Sequence, residues 1–190
     1  VARRVDVGPR RHGEHGLGAA LVGPGSFAAD VHLPNLAALA PAASLRAVVG
    51  RTANPAREAA RRWAAAYATT ELDEVLRDEA VDLVLIATRH DLHAAQAAAA
   101  LAAGKAVFLE KPPALDRESL DVLAAAVAAA ERPFVVGFNR RFAPDTLELS
   151  RLLSGRQGPL VIDYRVNAGK LPADHWTLGP QGGGRLIGEA

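Results

Sequence analysis

The sequence predicts an α/β protein: a doubly wound parallel sheet, then an incomplete α/β second domain with an open, mainly antiparallel sheet. Three observations predict it. Short apolar runs alternate with longer helical stretches from Leu17 to Phe138. The run Val81-Asp82-Leu83-Val84-Leu85-Ile86-Ala87 is nearly all apolar, as a strand buried on both faces of a parallel sheet would be. Gly23-Pro24-Gly25 ends the first apolar run and opens a helical one. Right-handed crossovers then place helices on both faces.

Residues 1–16 carry Gly, His and the basic group Arg3, Arg4, Arg10 and Arg11 without periodicity, and read as a tail or linker. Leu17 to Val22 is the first strand, and Ser26 to Ala40 a helix broken near Pro34. Leu45 to Val49 is the second strand. Asn54-Pro55 supplies a cap and a first-turn proline for a helix through Tyr67. A short strand at Ala68-Thr69 and a short acidic helix from Glu71 to Asp78 follow. After the 81–87 strand, Asp91 is placed to cap a helix that Gly104 ends. Ala106 to Leu109 is the fifth strand. Asp116 caps the next helix, through Ala130, and Phe134 to Phe138 is the sixth strand. The pattern changes after Pro144. Thr146 to Leu153 is amphipathic, and Leu160 to Val166 alternates in part, as a half-buried strand does. This divides the chain into a tail (1–16), a doubly wound domain (17–142) and the opening of a second domain (143–190).

Composition narrows the function. With net charge +1 and 23% charged residues, no strong field favours nucleic acid or a membrane surface. No apolar run approaches the ~18 residues of a membrane span. The first sixteen residues are polar and basic, unlike a secretory signal, so a cytoplasmic protein is expected. Cysteine is absent, which excludes a disulfide framework and thiolate metal ligands. The six histidines lack paired spacing with carboxylates, so no metal site is expected. The chain has no methionine and begins with Val1, which fits an alternative start codon or a piece of a longer protein.

The candidate chemistry lies at strand ends. Gly23-Pro24-Gly25-Ser26-Phe27-Ala28 fits the G-x-G-x-x-G/A pattern. Gly23 permits the tight turn, Gly25 lets backbone approach a pyrophosphate, and Ala28 lets helix and strand pack closely. Ser26 and Phe27 open the helix whose N-terminus would hold the phosphates. After the second strand comes Gly50-Arg51-Thr52, where an NAD-preferring site wants a carboxylate. Gly50 removes it, and Arg51 and Thr52 offer donors to a 2′-phosphate, so NADP is expected ahead of NAD. The alternative is a solvated loop arginine. Ala87-Thr88 and His90-Asp91-Leu92-His93 follow the fourth strand, at the edge where ligands bind in such sheets. His93 would touch the cofactor or instead pack the next helix. Glu110-Lys111-Pro112 follows the fifth strand. A lysine there, beside a nicotinamide, can bond a substrate hydroxyl and help move its proton.

Taken together, Gly23-Pro24-Gly25, Ala87-Thr88 with Leu92-His93, Glu110-Lys111-Pro112, Gly137 to Pro144 and Gly182-Gly183-Gly184-Arg185-Leu186 resemble the Gfo/Idh/MocA oxidoreductases. That family includes glucose–fructose oxidoreductase and inositol dehydrogenase. The resemblance runs from about Leu17 to the last residue, with the motifs in the family's order. It implies that 17–142 is a dinucleotide-binding Rossmann domain, that 143–190 begins a substrate or oligomerisation domain, and that hydride passes between NAD(P) and a secondary alcohol or ketone of a sugar, cyclitol or similar polar molecule. Lys111 is then the catalytic residue, with Glu110 and Lys111 also at the cofactor. Arg140, Asp174 and His175 are weaker substrate candidates, and a homo-oligomer is expected of the full-length protein.

The segments Val136 to Phe142, Asp174-His175-Trp176 and Gly188-Glu189-Ala190 are similar to a branch fused behind a zinc-type alcohol dehydrogenase domain, which would make residues 1–16 an interdomain linker. The family's usual Asp after the triple glycine is replaced by Gly188, with Glu189 beside it, and the usual His lies two residues past Ala190. A truncated chain is therefore expected. The alternative is a non-catalytic or degenerate dinucleotide-binding module in which Lys111 is inherited without use.

Overall fold

The computed structural model describes residues 3–7, 16–167 and 169–189. Arg10, Arg11 and Ala190 lie outside the described residues, as does the side chain of Glu189. The strands are β1 (Arg4–Asp6), β2 (Leu17–Val22), β3 (Ala43–Val49), β4 (Tyr67–Thr69), β5 (Leu83–Ile86), β6 (Ala106–Leu109) and β7 (Phe134–Val136). They form one sheet in the order β1-β4-β3-β2-β5-β6-β7. Every pair is parallel except β1 with β4. The helices are α1 (Leu33–Ala38), α2 (Ala53–Arg62), α3 (Leu72–Leu76), α4 (His93–Ala102), α5 (Arg117–Ala129), α6 (Pro144–Leu153) and α7 (Gly184–Glu189).

Strand β2 lies at the centre, between β3 and β5, so the chain winds outward first to one side and then to the other. The crevice at that reversal is where doubly wound sheets hold ligands. In β5, Val84 and Ile86 are fully buried, whereas Leu83 and Leu85 are half-buried. One face of the sheet packs Ala20, Val22, Ile86, Val107 and Leu109 against Ala97, Leu101 and Leu123 of α4 and α5. The other packs Leu21 against Ala28 and Leu33, and Val48 against Ala56 and Ala60. Truncating a fully buried side chain such as Leu109 to Ala would cost about 2–5 kcal/mol.

Several boundaries differ from the sequence reading. The tail expected over 1–16 is in part a strand: Arg4 pairs with Thr69 and Asp6 with Tyr67, and the Arg4 guanidinium stacks 3.8 Å from the Tyr67 ring centre. Three residues are too few to show a period, and an open edge at β4 accepts them. Thr52, not Asn54, precedes α2, and Asn54 instead accepts from Arg57. Asp91 caps nothing, because a 3-10 turn over His90–Leu92 moves the helix start to His93. Asp116 does cap α5, its carboxylate accepting from the Ser119 N–H at 2.7 Å. The helix opened by Ser26 does not break at Pro34. It runs through a wide π turn at Ala28–His32, where the Leu33 N–H reaches Ala28 five residues back, and continues as α1.

The expected strand over 160–166 is not formed. Val161 is 95% exposed and Tyr164 73%, and no neighbouring strand among the described residues offers a ladder to this segment. A half-buried sequence pattern makes a strand only where a second strand receives its N–H and C=O groups.

Candidate active site

The sheet ladder brings the sequence motifs into line. The Gly23 N–H donates to Val49 and the Ala87 N–H to Val22. The Glu110 N–H donates to Ile86 and the Gly137 N–H to Leu109. Gly23, Ala87, Glu110 and Gly137 therefore stand side by side at the carboxyl ends of β2, β5, β6 and β7.

At the glycine turn, Gly23 has φ +91°, and a side chain there would sit 2.6 Å from the Ala87 carbonyl oxygen. Only glycine meets both conditions. Gly25 is different: a Cβ at this position would meet nothing within 4 Å. The space beyond it is open and faces the first turn of the helix, whose leading N–H groups lack intrahelical partners. Ser26 and Phe27 are exposed there, and Ala28 is buried against Leu21 and Leu33. Gly25, Ser26 and Phe27 are the residues that could hold a diphosphate here.

At the end of β3, Gly50 has a packing reason the sequence reading missed. A Cβ there would lie 2.9 Å from that of Ala56, so glycine lets α2 approach the strand. Arg51 and Thr52 are exposed, and among the described residues Arg51 has no hydrogen-bond or ion-pair partner.

The loop after β5 is tied down. The Thr88 hydroxyl donates to Gln96 at 2.7 Å. His93 is 1% exposed, with Nδ1 2.7 Å from the Pro112 carbonyl and Nε2 3.3 Å from that of Thr88. Burial, chiefly, holds its pKa below the ordinary value. Of the two readings of His93, burial and its carbonyl neighbours favour packing: the ring faces inward, between the Thr88 and Pro112 loops.

Glu110 is also turned inward. Its Oε1 lies 2.8 Å from His32 Nε2, and its Oε2 accepts from the Lys111 N–H at 3.3 Å. Lys111 is half-buried and joined to Pro112 by a cis peptide. His32 was not singled out from the sequence. No local pattern marks it, because the π turn at Ala28–His32 shifts the phase of the helix and its partner lies seventy-eight residues on.

The glycine-rich C-terminal segment docks on the same edge. The Asp91 N–H donates to Gln181, and His90 Nδ1 lies 3.0 Å from the Gly182 carbonyl. Trp176 sits between the His90 ring, at 4.8 Å, and the Arg89 guanidinium, at 4.2 Å. His175 uses Nδ1 to accept from the Thr177 N–H, and so caps a short turn. Arg140 and Asp174 are exposed, and their place in the site rests on the resemblance alone. Among the described residues, no group of three or more His, Cys, Asp or Glu could hold a metal ion.

Residues 17–138 match the family described as "Oxidoreductase family, NAD-binding Rossmann fold". The chain belongs to the Gfo/Idh/MocA family. The inositol 2-dehydrogenase 2 of Saccharopolyspora erythraea is 35% identical over 157 residues, covering 80% of this chain and 46% of that protein. The 1,5-anhydro-D-fructose reductase of Ensifer adhaerens is 34% identical over 158 residues, with 76% and 46% covered. The chain thus spans about half the length of these Gfo/Idh/MocA relatives. Among solved structures, GenD2 from gentamicin A biosynthesis, in complex with NAD, is 36% identical with a TM-score of 0.68, covering 78% of this chain and 42% of that one. KijD10, a 3-ketoreductase from Actinomadura kijaniata in complex with NADP, matches at 24% identity and a TM-score of 0.67, covering 74% and 44%, which shows the fold alone.

Proposed function

We propose that this chain is the dinucleotide-binding part of an NAD(P)-dependent dehydrogenase or reductase acting on a secondary alcohol or ketone of a sugar, cyclitol or similar polar molecule. The observation that carries the reading is the alignment of the Gly25 cradle with Glu110-Lys111, two strands away on the same sheet edge. The relatives' names, an inositol dehydrogenase and an anhydrofructose reductase, support a polyhydroxylated substrate.

The nicotinamide, when bound, accepts or returns the hydride. This chain's residues do the rest. The helix opened by Ser26 receives the diphosphate, and Thr88 and Ala87 border the ring's side of the crevice. Lys111 extends from the neighbouring strand end. Its ammonium bonds the reacting oxygen, and its amine form accepts the hydroxyl proton as hydride leaves carbon. A partly desolvated setting favours that exchange.

The preference is for NADP(H). Arg51 supplies a charged, unengaged donor fork where no carboxylate stands to repel a phosphate. A homo-oligomeric, cytoplasmic parent protein completes the reading. Among the described residues no helix is long and apolar enough to cross a membrane.

Fluorescence titration with NADPH and NADH tests the assignment. Tighter NADPH binding is expected, and Arg51→Ala should weaken NADPH by about tenfold or more while leaving NADH nearly unchanged. Equal affinities in the unaltered chain would remove the NADP preference. Turnover of a polyol that survives Lys111→Ala unchanged would remove Lys111 from the chemistry, and binding without any hydride transfer by the full-length protein would favour a non-catalytic module.

A further inference from the structure

His32 lies on the helix that begins at the Gly25 cradle, yet its ring reaches across the sheet to a different strand end. Its side chain is 11% exposed and that of Glu110 12%. The rings of Phe27 and Phe108 flank it edge-on, at 5.2 and 5.5 Å. A carboxylate so enclosed requires donors, and His32 Nε2, at 2.8 Å, supplies one. The other oxygen receives the Lys111 N–H. Gly137, on β7's side, closes the remaining direction: a Cβ there would sit 2.9 Å from Glu110 Oε1. The carboxylate is therefore held between His32, the Lys111 backbone and Gly137.

We infer that His32 is a positioning residue for Lys111, acting through Glu110, and that it ties the lysine to the helix on which the dinucleotide's diphosphate rests. The inference rests on the proposed dinucleotide binding. An acid/base lysine works only when its amine meets the reacting hydroxyl within hydrogen-bond reach, and its reach begins from its own backbone. Glu110 holds that backbone by the Lys111 N–H, and His32 keeps the carboxylate pointed there. Without the His32 donor, the carboxylate is free to turn toward water and release the Lys111 amide.

The test uses the 190-residue chain itself, with amide hydrogen exchange and NADPH titration. In the unaltered chain the Lys111 amide should be protected, and more so with NADPH bound. His32→Ala should speed Lys111 exchange about tenfold or more, leaving the Ile86 and Leu109 amides and the NADPH affinity within about threefold. His32→Gln keeps a donor near the Nε2 position and should restore most of the protection, which a loss of packing alone would not permit. If His32→Ala does not fold, His32→Phe, which keeps the bulk of the ring and removes its donor, carries the comparison, with faster Lys111 exchange at NADPH affinity within about threefold expected.

Unchanged Lys111 exchange in a folded His32→Ala or His32→Phe chain that still binds NADPH would overturn the inference and leave the proposed function standing. Loss of protection in His32→Gln equal to that in His32→Ala would also overturn it, because packing would then be the cause. Failure of the unaltered chain to bind either NADPH or NADH would overturn the functional reading and this role with it.

Discussion

His93 Nδ1 lies 2.7 Å from the carbonyl oxygen of Pro112. A carbonyl can only accept, so Nδ1 carries the proton, and in the neutral ring Nε2 faces the Thr88 carbonyl without a hydrogen to give. A protonated ring would have donors for both, but burial, chiefly, opposes the charge, and His90 adds to that opposition while Glu110 works against it. One small side chain thus ties the Lys111-Pro112 segment to the start of α4 through a single donated bond, with the Thr88 carbonyl only packed against its other nitrogen.

A pH dependence follows. The folded pKa is depressed below the unfolded value near 6.5, so the unfolded chain binds more protons between the two values. His93's contribution to stability is complete above that unfolded value and is lost as pH falls toward the folded one, with a slope of up to about 1.4 kcal/mol per pH unit. Urea denaturation at several pH values from 7.5 to 5, compared with His93→Gln, measures it. The variant should be less stable at pH 7.5 by about 1–2 kcal/mol and show a flatter profile; parallel profiles would refute the assignment.

At the opposite edge of the sheet, Arg46 Nε donates to Asp78 at 3.0 Å, with side chains 10% and 12% exposed. Burial works against the Asp78 charge, but the Arg46 hydrogen bond, the Ala80 N–H, the neighbouring Tyr67 hydroxyl and the Arg46 charge together hold its pKa below the ordinary value. That stability is present above the unfolded value near 3.8 and lost as pH falls through the folded one. Asp78→Ala should cost about 2–4 kcal/mol, because it strands a guanidinium in a confined site. Combining it with Arg46→Met should recover much of the loss. Thermal unfolding of the two single variants and the pair gives the coupling energy, and simple additivity would contradict the pairing.

Gly137→Ala places a methyl against the Glu110 carboxylate, which His32 prevents from stepping aside. About 1–3 kcal/mol of destabilisation is expected. Adding His32→Ala should make the glycine substitution cheaper, since the carboxylate is then free to move. Equal costs in the two backgrounds, measured by urea titration, would mean that the carboxylate is not pinned.

Gly182→Ala acts on the docked C-terminal segment. A Cβ there would lie 2.2 Å from Thr177 Cα, which is backbone and cannot yield. The segment should undock, freeing Trp176 from His90 and Arg89. The chain has two tryptophans, so Trp63→Phe leaves Trp176 as the sole reporter. In that background Gly182→Ala should shift its emission to the red and expose residues 176–187 to proteolysis, with little change in global unfolding.

The strands at Leu17–Val22 and Ala106–Leu109 are legible to the residue, because parallel strands covered on both faces are near-continuous runs of small and apolar residues and these have no rival period. Asp116 was legible as a cap because its oxygen needs only a local N–H. Asn54 and Asp91 misled for the same reason: their chemistry suits a cap, but the turn before each helix decides which residue stands at its start. Arg4–Asp6 and residues 160–166 depend on what lies beside them, and no local pattern states that. In the site, glycines at 23 and 25 were readable from backbone need. The inward turn of His93 and the reach of His32 are decided by partners far away in sequence.

The π turn at Ala28–His32 holds one residue more than an α-helical turn between the same ends. Each helical residue advances the face by about 100°. Deleting a single residue there would let the helix close into regular α geometry and rotate everything on one side of the cut by that angle relative to the other. The glycine turn and Pro34 could each keep their local structure, yet the imidazole would swing off the line to its carboxylate. The extra residue is thus a phase setting, and the chain's tolerance for length changes in this helix should be far lower than its tolerance for changes of composition.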